Sequence, residues 1–350
     1  MAYRVIQWGS GNVGRQVIRE LARRRDLKLQ GVFVYSPEKN GVDAGTIAGV
    51  GKLGVKATGD ARKIIAMDAD CVIHAPLSSL VYGDELEEDL EVICTLLASG
   101  KNVISSVGYM YPKVYGTRVV NKLARACRLG GTSFHGTGAN PGWLGDLVPL
   151  TMTALSGRID QIVVQEISDF SAYPSPEIVL DTMGFGRTPK AFKAGSERYA
   201  DWLTGLFRES IQMVADGIGL KLDSIDTSFS KALAPRDFEV AAGKIAKGTV
   251  AAQRWEWAGK VGRKKRIVHE TLWRVHDSMC DEWPRGKHSI SIKGDPNMYL
   301  EFGPTWNDNP RSTTSMHAVN AVPYVCEAPT GIQTFLDLPW IVGRGAAQAM

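Results

Sequence analysis

The segment Gly9-Ser10-Gly11-Asn12-Val13-Gly14 sets three glycines at GxGxxG spacing directly after the apolar run Val5-Ile6-Gln7-Trp8. Behind it Val13, Val17, Ile18 and Leu21 recur on one helical face, so the glycines sit at a strand-to-helix turn. In that setting the pattern is a dinucleotide-binding signature, and each glycine has its own task. Gly9 permits the tight turn, Gly11 lets the backbone approach a pyrophosphate, and Gly14 lets the helix pack against the sheet. The helix N-terminus adds unpaired N–H groups and the positive end of its dipole, which brings Ser10, Asn12 and Val13 into the cofactor-binding set.

A carboxylate about 20 residues beyond the glycines would bind a ribose 2′-hydroxyl and repel a 2′-phosphate. The chain reads Val34-Tyr35-Ser36-Pro37-Glu38-Lys39 there. No acid stands at the strand end itself, and Ser36 and Lys39 suit a phosphate, while the nearby Glu38 leaves the alternative open. NADP(H) is the favoured cofactor, with NAD(H) also admitted. Ala75 and Pro76 follow a third apolar strand, and Ser105 and Val107 follow the next. In a parallel sheet such strand ends line the crevice where a nicotinamide lies, so these residues join the set.

The elements that must hold these residues alternate. Strand-like Leu27–Val34, Asp70–Ala75, Asn102–Ser106 and Thr132–His135 are nearly all apolar, and helical patterns separate them. Leu86, Leu90, Ile93 and Leu97 mark one such helix, closed by Ser99-Gly100; Val119–Arg128 marks another. Apolar strands between helices mean a parallel sheet covered on both faces. After Asn140-Pro141-Gly142 the rhythm changes: a strand at Ile159–Ile167, a helix at Glu197–Asp216, then strands at Phe238–Ile245, Thr249–Ala258, Ile267–Val275 and His288–Ile292. Gly and Pro in their connections suit antiparallel hairpins. The sequence therefore predicts an α/β protein: an N-terminal Rossmann domain over residues 1–141 and an α+β domain with a mixed or antiparallel sheet over 142–311. Helix-like sequence at Ser315–Val325 suggests that the segment from about 312 to 350 packs back onto the first domain.

A formal net charge of +4 leaves no footprint for nucleic acid or an anionic membrane. Arg263-Lys264-Lys265-Arg266 reads as a solvated hairpin tip. Cys71, Cys94, Cys127, Cys280 and Cys326 show no CxxC spacing and lie mostly in apolar stretches, as reduced thiols of a reducing compartment do. The chain enters a strand pattern at once, without a signal-peptide pattern, and no apolar run approaches the roughly 20 residues of a membrane span. A cytoplasmic location is expected.

Several strings are familiar together: Gly9–Gly14, Asn102-Val103-Ile104-Ser105-Ser106, Gly136-Thr137-Gly138-Ala139-Asn140-Pro141-Gly142, Met183-Gly184-Phe185-Gly186 and His317-Ala318-Val319-Asn320-Ala321-Val322-Pro323. Over most of its length the chain resembles the 2,4-diaminopentanoate dehydrogenase and native amine dehydrogenase family, whose N-terminal domain is similar to that of dihydrodipicolinate reductase. The resemblance implies an NAD(P)H-dependent homodimer that interconverts amines with carbonyl compounds and ammonia. It also implies a substrate pocket shaped by the second domain, which carries the dimerisation surface. The lysine-pathway reductase itself is a poorer match, lacking here its paired histidines with a lysine. One departure stands out. The family's catalytic glutamate, just after the NVxSS strand, has no counterpart in Val107-Gly108-Tyr109-Met110-Tyr111-Pro112. Reductive amination needs a base for ammonium or the carbinolamine and an anion beside the forming iminium.

Tyr109 stands near the vacant position and suits a proton donor to a carbonyl oxygen, or an aromatic wall. Tyr111 is the fallback for that role or packs beside Pro112. Asn140 either orients a substrate or the nicotinamide carboxamide, or caps a turn before Pro141. Glu166 and Asp169 point to opposite sides of a strand, so one of them is placed as a relocated base or an interface ion pair. Trp143, Phe170 and Tyr173 fit an apolar substrate wall or a core. His317 titrates near neutral pH in a pocket or bonds a helix end. His269, His276 and His288 lack metal-ligand spacing, and no metal is expected.

Overall fold

The computed structural model describes residues 2–346 apart from 83–86, 196, 281, 286, 304–305, 307–309 and 345. The chain divides into two compact units, Met1–Trp143 with Asn309–Met350, and Leu144–Asp308. It begins with β1 (Tyr3–Trp8), α1 (Asn12–Leu21), β2 (Leu27–Phe33), α2 (Ala44–Ala48) and α3 (Ala61–Ala66). Then come β3 (Cys71–His74), α4 (Ser79–Tyr82), α5 (Glu88–Ala98), β4 (Asn102–Ser105), α6 (Thr117–Gly130) and β5 (Ser133–Gly136). The second unit opens with α7 (Leu147–Thr153), β6 (Arg158–Asp169), α8 (Pro189–Gly195), α9 (Glu197–Gly217) and β7 (Ser224–Leu233). It continues through β8 (Phe238–Val240), β9 (Gly243–Ile245), β10 (Val250–Val261), β11 (Lys264–Arg274), β12 (Ser289–Asp295) and β13 (Met298–Glu301). Finally α10 (Pro310–Glu327) and β14 (Gly331–Ile332) return to the first unit.

In the first unit six strands pair in the order β14-β5-β4-β3-β1-β2, all parallel. Cys71, Val72 and Ile73 of β3 are fully buried, because helices cover both faces and the strand needs no polar side. Val17 and Ile18 of α1 pack with Ala318 and Val322 of α10 on one face. Leu90 and Ile93 of α5 pack with Leu123 of α6 on the other. Each such buried aliphatic contributes roughly 1.5–3 kcal/mol. The tail is tied down by the Arg24 Nη1 bond to Asn320 Oδ1 at 3.0 Å and the Ser133 hydroxyl bond to the Pro329 carbonyl at 2.8 Å. β1 stands between β2 and β3, so the connection leaving β2 crosses to the far side of β1. That crossing opens a switch point at the carboxyl ends of β1 and β3, where open α/β sheets hold ligands.

In the second unit the sheet runs β13-β12-β6-β11-β10-β7; only β6 and β11 are parallel, so the sheet is mixed. α9 covers one face, with Phe207 stacked on Trp257 at 4.1 Å. Gly259 makes room for that helix, since a Cβ there would lie 2.8 Å from Ile211. The strand expected over Phe238–Ile245 is two short strands, because the chain turns at Ala241-Ala242 and Gly243, at φ +136°, opens the returning strand. β7 was not foreseen. Its residues are exposed almost throughout, so it carries no hydrophobic period and exists through its ladder with β10. The basic cluster straddles the tip of the β10–β11 hairpin, with Gly262 and Arg263 in the turn. Leu86, expected to open α5, lies outside the described residues.

Candidate functional site

The glycine loop has the geometry that its spacing implies. Gly9 sits at φ +92°, and a Cβ there would lie 2.8 Å from the Ala75 carbonyl oxygen. At Gly14 a Cβ would fall 2.1 Å from the Gly9 carbonyl oxygen, so α1 touches the turn. At Gly11 the space is open, with nothing within 4 Å. Gly11 caps α1 with no side-chain bond and no acid in the first turn, leaving the N-terminal N–H groups of Asn12 and Val13 for an anion. Gln7 was missed by the sequence reading. Its buried amide donates to the Trp8 and Gly9 carbonyls at 3.0 and 2.9 Å, bracing the loop from behind. A lone amide inside an apolar strand was the available signal.

Past β2, Ser36 faces a cleft of about 810 Å3 whose lining includes Tyr35, Thr58 and Arg62. Lys39 turns the other way, toward the glycine loop, its Nζ 3.4 Å from the Ser10 carbonyl. Glu38 is exposed and does not line the cleft.

Ala75 and Pro76 follow β3 beside this loop, the Ala75 N–H donating to the Trp8 carbonyl at 2.9 Å. At the end of β4 the Ser105 hydroxyl lies 3.1 Å from His74 Nδ1 and accepts the Val107 N–H at 3.4 Å. His74 Nε2 in turn faces Asp89 Oδ1 at 3.7 Å. Burial pushes the His74 imidazole down to about 3 and raises the Asp89 carboxyl, which the Ser79 N–H holds at 2.6 Å. Neither residue stood out in the sequence, because His74 closes an apolar strand and Asp89 reads as a helix-start acid.

Tyr109 follows at φ +63°, an uncommon conformation for a side-chain-bearing residue. Its ring is buried, 5.4 Å from Tyr115 and within the layer packed by α5 and α6. Its carbonyl presses on the end of β5, where a Cβ at Gly136 would fall 2.4 Å from it. Tyr111 is buried next to Pro112. Beyond β5, Thr137 donates its N–H to the Ser105 carbonyl at 2.8 Å, and Asn140 is half-buried in the loop that follows. That loop closes tightly, since a Cβ on Gly142 would fall 2.2 Å from the Gly138 nitrogen. His317 Nδ1 lies 2.5 Å from the Thr137 hydroxyl, while its buried Nε2 has no hydrogen-bond partner among the described residues. Burial, with His135 alongside, pushes His317 down to about 3. His135 bonds the Gln333 carbonyl at 2.8 Å and is itself pushed down to about 4.

The glycine loop, Ser36, Lys39, Ala75, Pro76, Ser105, Val107, Tyr109 and Asn140 thus all follow the carboxyl ends of neighbouring parallel strands, and His317 joins them through Thr137. Trp143, half-buried, ends the N-terminal part of the first unit. Phe170 and Tyr173 belong to the second unit. There both are half-buried, with ring centroids 5.6 Å apart and Phe185 and Trp273 about the Phe170 ring at 6.1 and 6.2 Å. Glu166 accepts the Trp273 indole N–H at 2.8 Å beside this group, while Asp169 caps a turn through the Ser171 N–H at 2.7 Å. Among the described residues no cluster of three or more His, Cys, Asp or Glu is placed to hold a metal, and no helix is long and apolar enough to cross a membrane.

Comparison with known proteins agrees with this geometry. Residues 144–347 match the 2,4-diaminopentanoate dehydrogenase C-terminal domain, and residues 3–83 match the N-terminus of dihydrodipicolinate reductase. An amine dehydrogenase from Streptomyces virginiae is 32% identical over 352 residues, covering 95% of each chain. A 2,4-diaminopentanoate dehydrogenase from Acetoanaerobium sticklandii is 27% identical over 86% of this chain and 88% of its own. The solved amine dehydrogenase from Mycobacterium smegmatis shares the fold at a TM-score of 0.82 over 98% of both chains, with 22% identity. The chain belongs to the 2,4-diaminopentanoate dehydrogenase family of NAD(P)-dependent oxidoreductases.

Proposed function

We propose that this protein uses NADPH, and less readily NADH, to reduce the carbonyl or imine carbon of a small, largely apolar substrate, as amine dehydrogenases do. The glycine loop carries this reading: it is closed by contact at Gly9 and Gly14 and open at Gly11, the one place where a pyrophosphate must approach. A reduced nicotinamide, when bound, supplies the hydride. The N–H groups of Ser10, Asn12 and Val13 hold the phosphates, with Lys39 above the loop and Ala75, Pro76, Ser105 and Val107 along the crevice. Trp143, Phe170 and Tyr173 are proposed to wall the substrate. Asn140 orients it. The first unit is read as the cofactor-binding part and the second as the substrate and dimerisation part of a cytoplasmic homodimer. The long, exposed β7 edge supports the dimer, because an open edge invites cover.

Proton handling falls to His317 and Tyr109. If the Thr137 hydroxyl donates to Nδ1, the hydrogen of a neutral His317 sits on Nε2, where it can polarise a substrate oxygen without first ionising. General acid–base groups contribute about 10²–10⁴-fold. His317→Ala is therefore expected to lower kcat by about 10²-fold or more with the NADPH Kd nearly unchanged. Tyr109→Phe is expected to cost as much if the phenol delivers the proton; a kcat at the wild-type level assigns the ring to packing.

A second reading, ammonia-independent reduction of ketones, aldehydes, cyclic imines or activated C=C bonds, is favoured by the lack of a carboxylate between Val107 and Pro112. Cofactor consumption at 340 nm against ketones, aldehydes and cyclic imines, with and without ammonium, separates the two. Strict dependence on ammonium is the result expected of an amine dehydrogenase. Turnover without ammonium establishes the second reading, and tight NADPH binding with no turnover on any substrate identifies a sensor instead.

A further inference from the structure

β2 is an edge of the parallel sheet, and Thr58 bridges Phe33 on its outer side. A cleft of about 810 Å3 opens here, and its lining includes Ser36 together with Arg62 and Lys63 of α3. The acid in its lining, Asp60, is committed: its carboxylate accepts the Arg62 backbone N–H at 3.0 Å, capping α3, and faces the Arg62 Nε at 3.3 Å. The terminal nitrogens of Arg62 and the Lys63 ammonium have no hydrogen-bond partner among the described residues, and the Arg62 side chain is 91% exposed. Two cations and a hydroxyl thus border a cleft at the strand end where a dinucleotide ribose lies, while Lys39 is drawn away to the glycine loop. A guanidinium presents a fork of donors that suits a phosphate, and the ammonium adds a second positive charge.

We propose that Arg62 and Lys63, together with the Ser36 hydroxyl, bind the ribose 2′-phosphate of NADP and so set the preference for NADP over NAD. This rests on the reading of the first unit as a dinucleotide site. Both cations lie on a helix far along the chain from the motif residues, which is why sequence position alone pointed to Lys39.

The test is calorimetric titration of the full-length protein with 2′,5′-ADP and with 5′-AMP, in the wild type, the Arg62→Ala/Lys63→Ala double variant and Arg62→Lys. Charge-assisted bonds lost from a phosphate cost about 10- to 100-fold in affinity. The double variant is expected to lose that factor for 2′,5′-ADP and less than about twofold for 5′-AMP, with KM rising for NADPH alone and partial recovery in Arg62→Lys. Equal wild-type affinity for the two nucleotides overturns the proposal while leaving the dinucleotide reading intact. Unchanged or equal losses in the double variant overturn it too. Failure of the wild type to bind either nucleotide removes both.

Discussion

Gly14→Val is expected to abolish dinucleotide binding and to lower Tm by about 5 °C or more, whereas Gly11→Ala keeps the wild-type Tm and weakens binding alone. The two glycines stand three residues apart, yet the packing around them is opposite. A side chain at 14 has its Cβ 2.1 Å from the Gly9 carbonyl and 3.0 Å from the Gln7 amide, so α1 must lift from β1. That overpacking costs about 1–3 kcal/mol and disturbs the anion-facing N–H groups together. A methyl at 11 meets nothing within 4 Å, and φ is −71°, a conformation that alanine adopts freely. Its only consequence is to occupy the approach of the pyrophosphate, which is expected to raise the NADPH Kd about tenfold or more. Calorimetric melting and NADPH titration of the two variants check this. A stable Gly11→Ala protein that binds NADPH like the wild type contradicts a phosphate seat at this loop.

A second large effect is expected from acid. Burial pushes His74, His269 and His317 down to about 3 and His135 down to about 4, all from 6.5. Below pH 6.5 the unfolded chain therefore binds protons that the folded chain refuses until the pH approaches 3–4. Their contribution to stability is fully present above the unfolded value and is lost as the pH falls. Each group removes about 1.4 kcal/mol per pH unit in that window, so the four together remove about 5 kcal/mol per unit. Domain stabilities of about 5–15 kcal/mol do not survive much of that, and unfolding is expected near pH 5. Urea denaturation at several pH values measures the slope. A slope equivalent to about four protons taken up on unfolding between pH 6 and 5 is the expected result, one fewer in His317→Asn; a flat profile contradicts neutral buried imidazoles.

The fold was legible where pattern and packing coincide. The apolar strands β1 to β5 are buried on both faces, so their composition announced a covered parallel sheet, and α9 followed its helical period almost to the residue. β7 was invisible because a ladder, and not a buried face, makes it a strand. The break between β8 and β9 depended on the backbone of Gly243, which a short apolar run conceals. At the site, glycine chemistry read directly from spacing, since steric contact ties each glycine to a neighbour close in sequence or in the sheet. The side chains packed behind the strand ends did not. Gln7, His74, Asp89 and Thr137 act through partners on other elements, and Arg62 and Lys63 border their cleft only after α3 has folded back along the sheet edge. Tyr109 illustrates the limit: its position after β4 was readable, but burial of its ring against Tyr115 was not.

Hydride transfer itself is read by mass. The protein incubated with NADPH carrying deuterium at both hydrogens of nicotinamide C4, a panel of small apolar ketones and ammonium is expected to give an amine that carries one deuterium at the former carbonyl carbon, in amounts equal to the NADPH oxidised. The same label in an alcohol formed without ammonium keeps the reductase and moves the reaction to carbonyl reduction. Unlabelled products, or NADPH that binds and is never consumed across ketones, aldehydes and imines, contradict an oxidoreductase acting at such carbons.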